Sequence, residues 1–196
     1  MKIKKINKIF ILSNFKHFNF KLKNLSCIKH LNEINEIDIN ENNILISCIT
    51  GIIVPEVIFK KFKLAINIHP ASESFPGRDP HHWACYAKSS IFGAVAHFME
   101  EKVDSGSIID FETTNIKKNS SPKDYQLIGN KSAKILINKV IKSIYNENIS
   151  IKKIKWSKIK TRRSDIIKIC DFRGLNQDEI KSREFSFQGF EKYFKY

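Results

Sequence analysis

Residues 64–70 read LAINIHP, the pattern of a buried β-strand that ends in polar residues and a proline. Side chains two positions apart on a strand point to the same face, so Asn67 and His69 should project together. Pro70 stops the strand because proline has no N–H to donate to the sheet. The stretch therefore predicts an amide and an imidazole side by side at a strand end.

A carboxylate follows in the stretch VDSG at residues 103–106, where Ser105 and Gly106 permit a tight turn. Acyl transfer to an amine passes through a tetrahedral intermediate, whose oxyanion an amide such as Asn67 can stabilise. The imidazole of His69 titrates near neutral pH and can carry the proton between the two nitrogens. Asp104 can orient the imidazole, stabilise its charged form or hold a relaying water. These three residues are the candidate catalytic set.

Together with their surroundings, these motifs resemble the folate-dependent formyltransferases. The resemblance covers NIHPASESFPGRDP at residues 67–80 and FGAVAHFMEEKVDSGSII at residues 92–109, where the family has an apolar strand with an internal His and then Val-Asp-x-Gly. ILISCITGIIVPEVI at residues 44–58 is similar to the strand and loop that border the pterin pocket in the family. The resemblance implies an α/β fold with a Rossmann-like, mostly parallel sheet flanked by helices. It also implies 10-formyltetrahydrofolate as co-substrate and no metal.

The resemblance implies roles for individual residues as well. It makes Asn67, His69 and Asp104 catalytic. The cofactor-binding residues would be Cys48, Ile49, Thr50, Gly51, Val103 and Gly106. The substrate-binding residues would be Pro70, Gly77, Arg78 and His97. Arg78 follows Gly77, whereas relatives carry the order Arg-Gly, and His97 on an apolar strand would read as a core residue without the resemblance.

The C-terminal part suggests an acceptor for the formyl group. Residues 160–165 (KTRRSD), 175–180 (LNQDEI) and 183–187 (REFSF) look like the tail of the sugar N-formyltransferases. This similarity favours the amino group of a nucleotide-linked amino sugar, used for a lipopolysaccharide O-antigen or another glycan. It divides the chain into a catalytic core at residues 1–148 and a small basic subdomain or tail at residues 149–196.

Departures from the family pattern bear on the other acceptors. Fewer residues precede Asn67 than in relatives, which implies a shortened N-terminal half. The early loop at Ser13-Asn14-Phe15 contains no glycine, which disfavours glycinamide ribonucleotide, and the short tail disfavours methionyl-tRNA. These two amines and a hydroxylated amino acid remain alternatives. A catalytically degenerate module that binds a nucleotide or nucleic acid is a third reading.

The amino-acid composition says less about function than the motifs do. The net charge of +14 suits anionic substrates, but the chain is rich in Lys, Ile and Asn throughout, as AT-rich codon usage would produce. The basic residues around Trp156 read as a solvated edge hairpin or as a nucleic-acid patch, and we take nucleic acid as the disfavoured partner.

The cysteines and the lengths of the apolar runs bear on the cellular compartment, on metal binding and on membrane insertion. The four cysteines are widely spaced, which predicts neither a disulfide framework nor a zinc site and fits the cytoplasm. A cluster of His81, His82 and Cys85 lacks an obvious fourth metal ligand. No apolar run is long enough for a membrane span. The family resemblance alone implies a homodimer, and the segment 185–196 has enough aromatic residues to form the subunit contact.

The sequence also predicts the elements around these motifs. A hydroxyl at Ser121, a proline and then Asp124 predict a helix start, and the apolar stripe behind it ends near Asn146. Residues 21–36 stay ambiguous. Strands are predicted at residues 8–13, 43–49, 64–68, 93–99 and 107–114, and short helices at residues 55–62 and 83–88.

Overall fold

A six-stranded mixed sheet forms the centre of the computed structural model, which describes residues 6–14 and 24–196. The order across the sheet is β2-β1-β3-β4-β5-β6. The strands are β1 (Lys8–Leu12), β2 (Leu25–Ile28), β3 (Asn43–Cys48), β4 (Leu64–His69), β5 (Ile91–Phe98) and β6 (Ile108–Asn115). The first four are parallel, and β5 and β6 are antiparallel to their neighbours. The predicted mostly parallel α/β sheet is confirmed, and its last two strands form a hairpin around Asp104.

The central strands are mostly apolar, as expected for strands that are covered on both faces of the sheet. All six residues of β3 are buried. On one face the sheet packs against the long helix α3 (Pro122–Tyr145), through residues such as Leu136, Ile137 and Ile144. On the other face a second cluster includes Phe10, Leu45, Phe59, Phe62 and Ala65. The sheet is therefore held from both sides along its parallel strands.

Helix α3 begins as the sequence predicts. The Ser121 hydroxyl accepts a hydrogen bond from the Asp124 N–H, and the Asp124 carboxylate accepts one from the Ser121 N–H at 2.8 Å. Pro122 occupies the first turn. The helix ends at Tyr145, one residue before its C-cap Asn146.

The shorter elements depart from prediction at their ends. Helix α1 (Glu56–Phe59) fills only part of residues 55–62. Helix α2 (Pro80–Tyr86) begins three residues before 83 because Asp79 adopts a left-handed backbone and Pro80 then opens the helix. In the ambiguous segment the structure has β2 followed by two 3-10 turns, Leu31–Glu33 and Glu36–Asp38, whereas residues 21–23 lie outside the described residues, as does Phe15 of the early loop.

The C-terminal part packs on helix α2. Helices α4 (Arg163–Ile169) and α5 (Gln177–Ser186) and the 3-10 turn Glu191–Tyr193 surround a cluster that includes the fully buried Phe172 and Phe187. Residues 149–162, which we call the strap, connect α3 to α4 without a regular strand. The solvated edge hairpin, one of the readings of the basic residues around Trp156, is therefore wrong.

Candidate active site

Strand β4 brings its two polar side chains to the carboxyl end of the last parallel strand. Asn67 lies opposite His97 in β5, and its Nδ2 is 3.1 Å from His97 Nε2. His97 Nδ1 is 2.8 Å from the Phe98 carbonyl oxygen, so Nδ1 carries the proton and donates. The unprotonated Nε2 then accepts one of the two amide N–H groups of Asn67. His97 thereby orients the Asn67 amide.

Asp104 lies between two imidazoles. Its Oδ2 is 3.5 Å from His69 Nδ1 and its Oδ1 is 3.5 Å from His97 Nε2, and the residue is only 5% exposed. The Gly77 N–H donates to Oδ2 at 2.9 Å. Burial raises the pKa of Asp104, but the positively charged forms of His69 and His97, present at the low pH where the carboxyl titrates, and the Gly77 N–H outweigh burial and hold the pKa at about 2. Asp104 is therefore ionised at neutral pH.

His69 is buried, and both of its ring nitrogens face protein groups. Nε2 is 2.9 Å from the Phe75 carbonyl oxygen and donates to it, which leaves the lone pair on Nδ1 beside Asp104. Burial lowers the pKa of His69, while Asp104 and the Phe75 carbonyl oppose that shift. The imidazole is thus neutral near pH 7 and can take up a proton.

The predicted cofactor-binding residues flank this group on two loops. Residues 49–51 follow β3, whose Ser47 is paired with Asn67, so they lie at the same edge of the sheet as the site. Gly51 is exposed, with open space beside its Cα. Val103 is 42% exposed, next to the buried Asp104. Within β3 the Cys48 thiol is buried, which raises its pKa to about 12, so this thiol is not a nucleophile near neutral pH.

The backbone constrains the other predicted cofactor-binding residues of those two loops. Ile49 has a positive φ of 51°, and the Thr50 hydroxyl accepts a hydrogen bond from the Ile52 N–H at 3.2 Å. A side chain at Gly106 would collide with the Phe98 carbonyl oxygen, so only glycine lets the Asp104 loop approach β5 so closely.

The predicted substrate-binding residues divide into two groups. Gly77 and His97 contact Asp104 and lie inside the site, and His97 is only 2% exposed. Pro70 ends β4, and its carbonyl lies against Gly129 of α3. Arg78 is exposed and lies beside Asp79, and its guanidinium makes neither a hydrogen bond nor an ion pair with the three candidate catalytic residues. The structure therefore brings Gly77 and His97 to Asp104, whereas Pro70 adjoins the site only as the residue that follows His69 and Arg78 lies apart.

Two contacts of His69 were not predicted, namely the Phe75 carbonyl and the ring of Trp156. Trp156 of the strap donates its indole N–H to the Gly106 carbonyl at 2.9 Å and contacts the rings of His69 and His97 edge-on. In the sequence Trp156 reads as part of a basic surface. The only sequence feature that marks Trp156 is its place as a single aromatic residue among lysines, and this feature does not show which residues Trp156 contacts.

Within the described ranges, no three or more His, Cys, Asp or Glu side chains are grouped so that they could hold a metal ion. The rings of His81 and His82 lie 4.3 Å apart between centres and are tilted by 43°, and His82 Nδ1 donates to the Ser186 carbonyl. None of the helices in the described part of the chain is both long and apolar enough to span a membrane.

The fold and the site define the class of this protein: an α/β protein with an amide, two imidazoles and a carboxylate at the end of a central strand. Residues 15–141, well over half of the chain, match the family model described as Formyl transferase. The chain belongs to the formyl transferase family.

Individual relatives agree with this assignment. The methionyl-tRNA formyltransferase of Campylobacter lari is 29% identical over 157 residues, which are 76% of this chain and 51% of the relative. The chain thus spans about half the length of that relative. An N-formyltransferase from Helicobacter canadensis, solved with folinic acid and dTDP-3-aminofucose, aligns at 19% identity with a TM-score of 0.68, over 93% of this chain and 81% of its own.

A sugar N-formyltransferase from a Shewanella species aligns at 16% identity with a TM-score of 0.70, over 91% of this chain and 87% of its own. At these identities the two structures establish a shared fold.

Proposed function

We propose that this protein transfers a formyl group from 10-formyltetrahydrofolate to the primary amine of a nucleotide-linked amino sugar. The observation that carries the proposal is the meeting of Asn67, His69 and Asp104 at one strand end in a member of the formyl transferase family. We assign the reaction to the cytoplasm and to the synthesis of lipopolysaccharide O-antigen or another glycan.

The three residues divide the chemistry as follows. The acceptor nitrogen attacks the formyl carbon, and the carbonyl oxygen becomes an oxyanion. Asn67 uses one amide N–H on His97, which leaves the second N–H for that oxyanion. His69 takes the proton that the acceptor nitrogen loses and returns it to N10 of the folate as the C–N bond breaks. The products are the N-formylated sugar and tetrahydrofolate.

The Phe75 carbonyl must move for His69 to act in this way. In the structure it accepts the Nε2 proton, so the lone pair of neutral His69 faces Asp104. When the acceptor amine displaces that carbonyl, the proton can reside on Nδ1 against Asp104, which exposes the Nε2 lone pair to the amine. Ionised Asp104 then stabilises the imidazolium that forms.

Two acceptors have specific support. The sugar acceptor is supported by structural neighbours that cover nearly the whole chain, one of them solved with a nucleotide-linked amino sugar. The second candidate is methionyl-tRNA, because the C. lari relative carries that name. For the folate, the support is the folinic acid in the H. canadensis structure and the open space beside Gly51.

The test measures tetrahydrofolate release from 10-formyltetrahydrofolate by absorbance, with nucleotide-linked amino sugars, methionyl-tRNA and glycinamide ribonucleotide as acceptors. We expect release with a nucleotide sugar and a mass gain of one formyl group on it. The variant His69→Ala should lose about 10²–10⁴-fold in turnover while it keeps folate affinity, because proton transfer contributes that much. The matched control is His30→Gln, at an exposed histidine.

Other outcomes would redirect the proposal. Release only with methionyl-tRNA would replace the sugar acceptor. No release with any acceptor and no folate binding would favour the degenerate nucleotide or nucleic-acid binding module. Equal turnover in His69→Ala and the wild type would overturn the assigned role of His69.

A further inference from the structure

The strap runs across the loops that form the candidate site. Its Lys152 N–H donates to the Ile108 carbonyl at 2.8 Å, beside the Asp104 loop. Further along, Ser157 donates to the Glu73 carbonyl at 2.9 Å and Thr161 to the Pro76 carbonyl at 3.1 Å, both in the loop that follows β4. These backbone bonds fix the strap over both site loops.

Trp156 is the side chain that the strap turns into the site. Its ring centre is 5.8 Å from that of His69 and 5.0 Å from that of His97, with interplanar angles of 71° and 90°. Such edge-to-face contacts are a favourable arrangement for aromatic rings. The bulk of the indole also keeps water from one side of both imidazoles.

The indole N–H makes the second contact. It donates to the Gly106 carbonyl at 2.9 Å, two residues after Asp104. Asp104 has a positive φ of 49°, an unusual backbone conformation for a residue other than glycine, so its loop needs support from its surroundings. A bond to Gly106 limits how far the Asp104 carboxylate can move away from the two imidazoles.

We propose that Trp156 is a positioning residue for formyl transfer. Its N–H fixes the Asp104 loop, and its ring excludes water from His69 and holds the imidazole in its orientation. The proposal rests on the function proposed above, because it assigns Trp156 an effect on that reaction through Asp104 and His69.

The groups that face His69 determine what the loss of Trp156 would do. The charged and titratable ones are Asp104 in the β5–β6 loop, His97 in β5 and Lys160 in the strap. Trp156 is uncharged, so its loss changes hydration and leaves these charges in place. Water at His69 relieves the burial that lowers its pKa, so the pKa of His69 should rise.

Two variants separate the two contacts. Trp156→Phe keeps a ring against the imidazoles and loses the N–H donor to Gly106. Trp156→Ala loses both. The matched control is Trp83→Phe, because the Trp83 ring packs on Phe187 and its buried N–H has no hydrogen-bond partner among the described residues.

The first measurement needs no substrate. Imidazole NMR signals are followed against pH in the wild-type protein and in all three variants. We expect the pKa of His69 to rise in Trp156→Ala and to stay near the wild-type value in Trp156→Phe and in Trp83→Phe. An unchanged His69 pKa in a folded Trp156→Ala variant would overturn the role of the ring. If Trp156→Ala does not fold, Trp156→Leu takes its place.

The second measurement is turnover. Loss of one hydrogen bond that holds the Asp104 loop should lower kcat of Trp156→Phe by about fivefold to tenfold, with KM nearly unchanged. Wild-type kcat in Trp156→Phe would overturn the role of the N–H. If the wild-type protein transfers no formyl group, the function proposed above fails, and the NMR titration alone decides whether the ring controls His69.

Discussion

At the scale of single residues, the position of Asp104 between two imidazoles makes its charge the main electrostatic feature of the site. Replacing it by Asn keeps the size and removes the charge, and Asn tolerates a positive φ well. Asp104 opposes the burial that lowers the pKa of His69, so in Asp104→Asn the pKa of His69 should fall further. The acid limb of the kcat/KM profile should therefore move to lower pH.

The same variant should lose kcat by about a hundredfold or more, because the imidazolium formed during proton transfer would lack its counter-charge. The measurement is the pH dependence of tetrahydrofolate release. Glu101→Gln is the matched control, since it removes an exposed charge from the same loop. An acid limb that moves upward in Asp104→Asn would contradict the electrostatic role assigned to Asp104.

Sequence reasoning found the polar residues of the site but not its aromatic wall. Asn67 and His69 are two positions apart on one strand, so local geometry predicts that they lie together. Trp156 reaches them through the strap, which has no periodic pattern and is held by backbone bonds to distant loops. No local signal in the sequence encodes such contacts.

At the scale of elements, helix α3 and strand β4 meet at a glycine. A Cβ at Gly129 would lie 2.2 Å from the Pro70 carbonyl oxygen and 3.1 Å from a ring carbon of Phe92. Only glycine therefore allows the helix to approach the residue that follows His69 so closely. The position of α3 and the position of the catalytic strand end are coupled at this point.

The variant Gly129→Ala should be less stable than the wild type. In an exposed helix the change would stabilise by about 1 kcal/mol, but here the added methyl group should cost about 1–3 kcal/mol through overpacking. Turnover should fall too, because displacing Pro70 displaces His69. Thermal unfolding and tetrahydrofolate release are the measurements, with Lys131→Ala on the exposed side of the same helix as control. A higher melting temperature in Gly129→Ala would contradict the close contact.

The elements themselves differ in how well they could be predicted. Helix α3 has a capping hydroxyl, a proline and a long apolar stripe, and these signals agree on its start and its end. The start of α2 was wrong because it depends on the left-handed backbone at Asp79, which the sequence does not reveal. The antiparallel pairing of β6 with β5 follows from the short loop between them, which can join neighbouring antiparallel strands but not parallel ones. The reversal of β5 against β4 depends on the path of residues 70–90 through α2, for which the sequence has no local signal.

At the scale of the whole molecule, the boundary at residue 148 remains a proposal. The C-terminal helices pack on α2 through Phe187, and the strap contributes Trp156 to the site. Residues 149–196 therefore contact the catalytic core in two places, at α2 and at the Asp104 loop.

The homodimer also remains a prediction. Phe187 and Phe190 are used within the chain, which leaves Phe185 and Tyr196 exposed for a subunit contact. Light scattering would measure the mass.

The net charge of +14 gives a prediction about the acceptor. A basic protein attracts an anionic nucleotide sugar through space, and salt screens that attraction because the Debye length falls from about 10 Å at 0.1 M to about 3 Å at 1 M. KM for the nucleotide sugar should therefore rise with salt while kcat stays constant. Arg78→Ala should weaken this dependence, since Arg78 is exposed beside Gly77 of the site.

The measurement is KM against salt concentration for wild type, Arg78→Ala and the control Lys181→Ala, an exposed cation in α5. Lys181→Ala should keep the wild-type slope, because a charge far from the acceptor is screened within a Debye length. A KM independent of salt would mean that the charge reflects composition alone and does not steer the acceptor. Salt-dependent binding of RNA without formyl transfer would instead assign the charge to the nucleic-acid module, because counterion release gives that steep dependence.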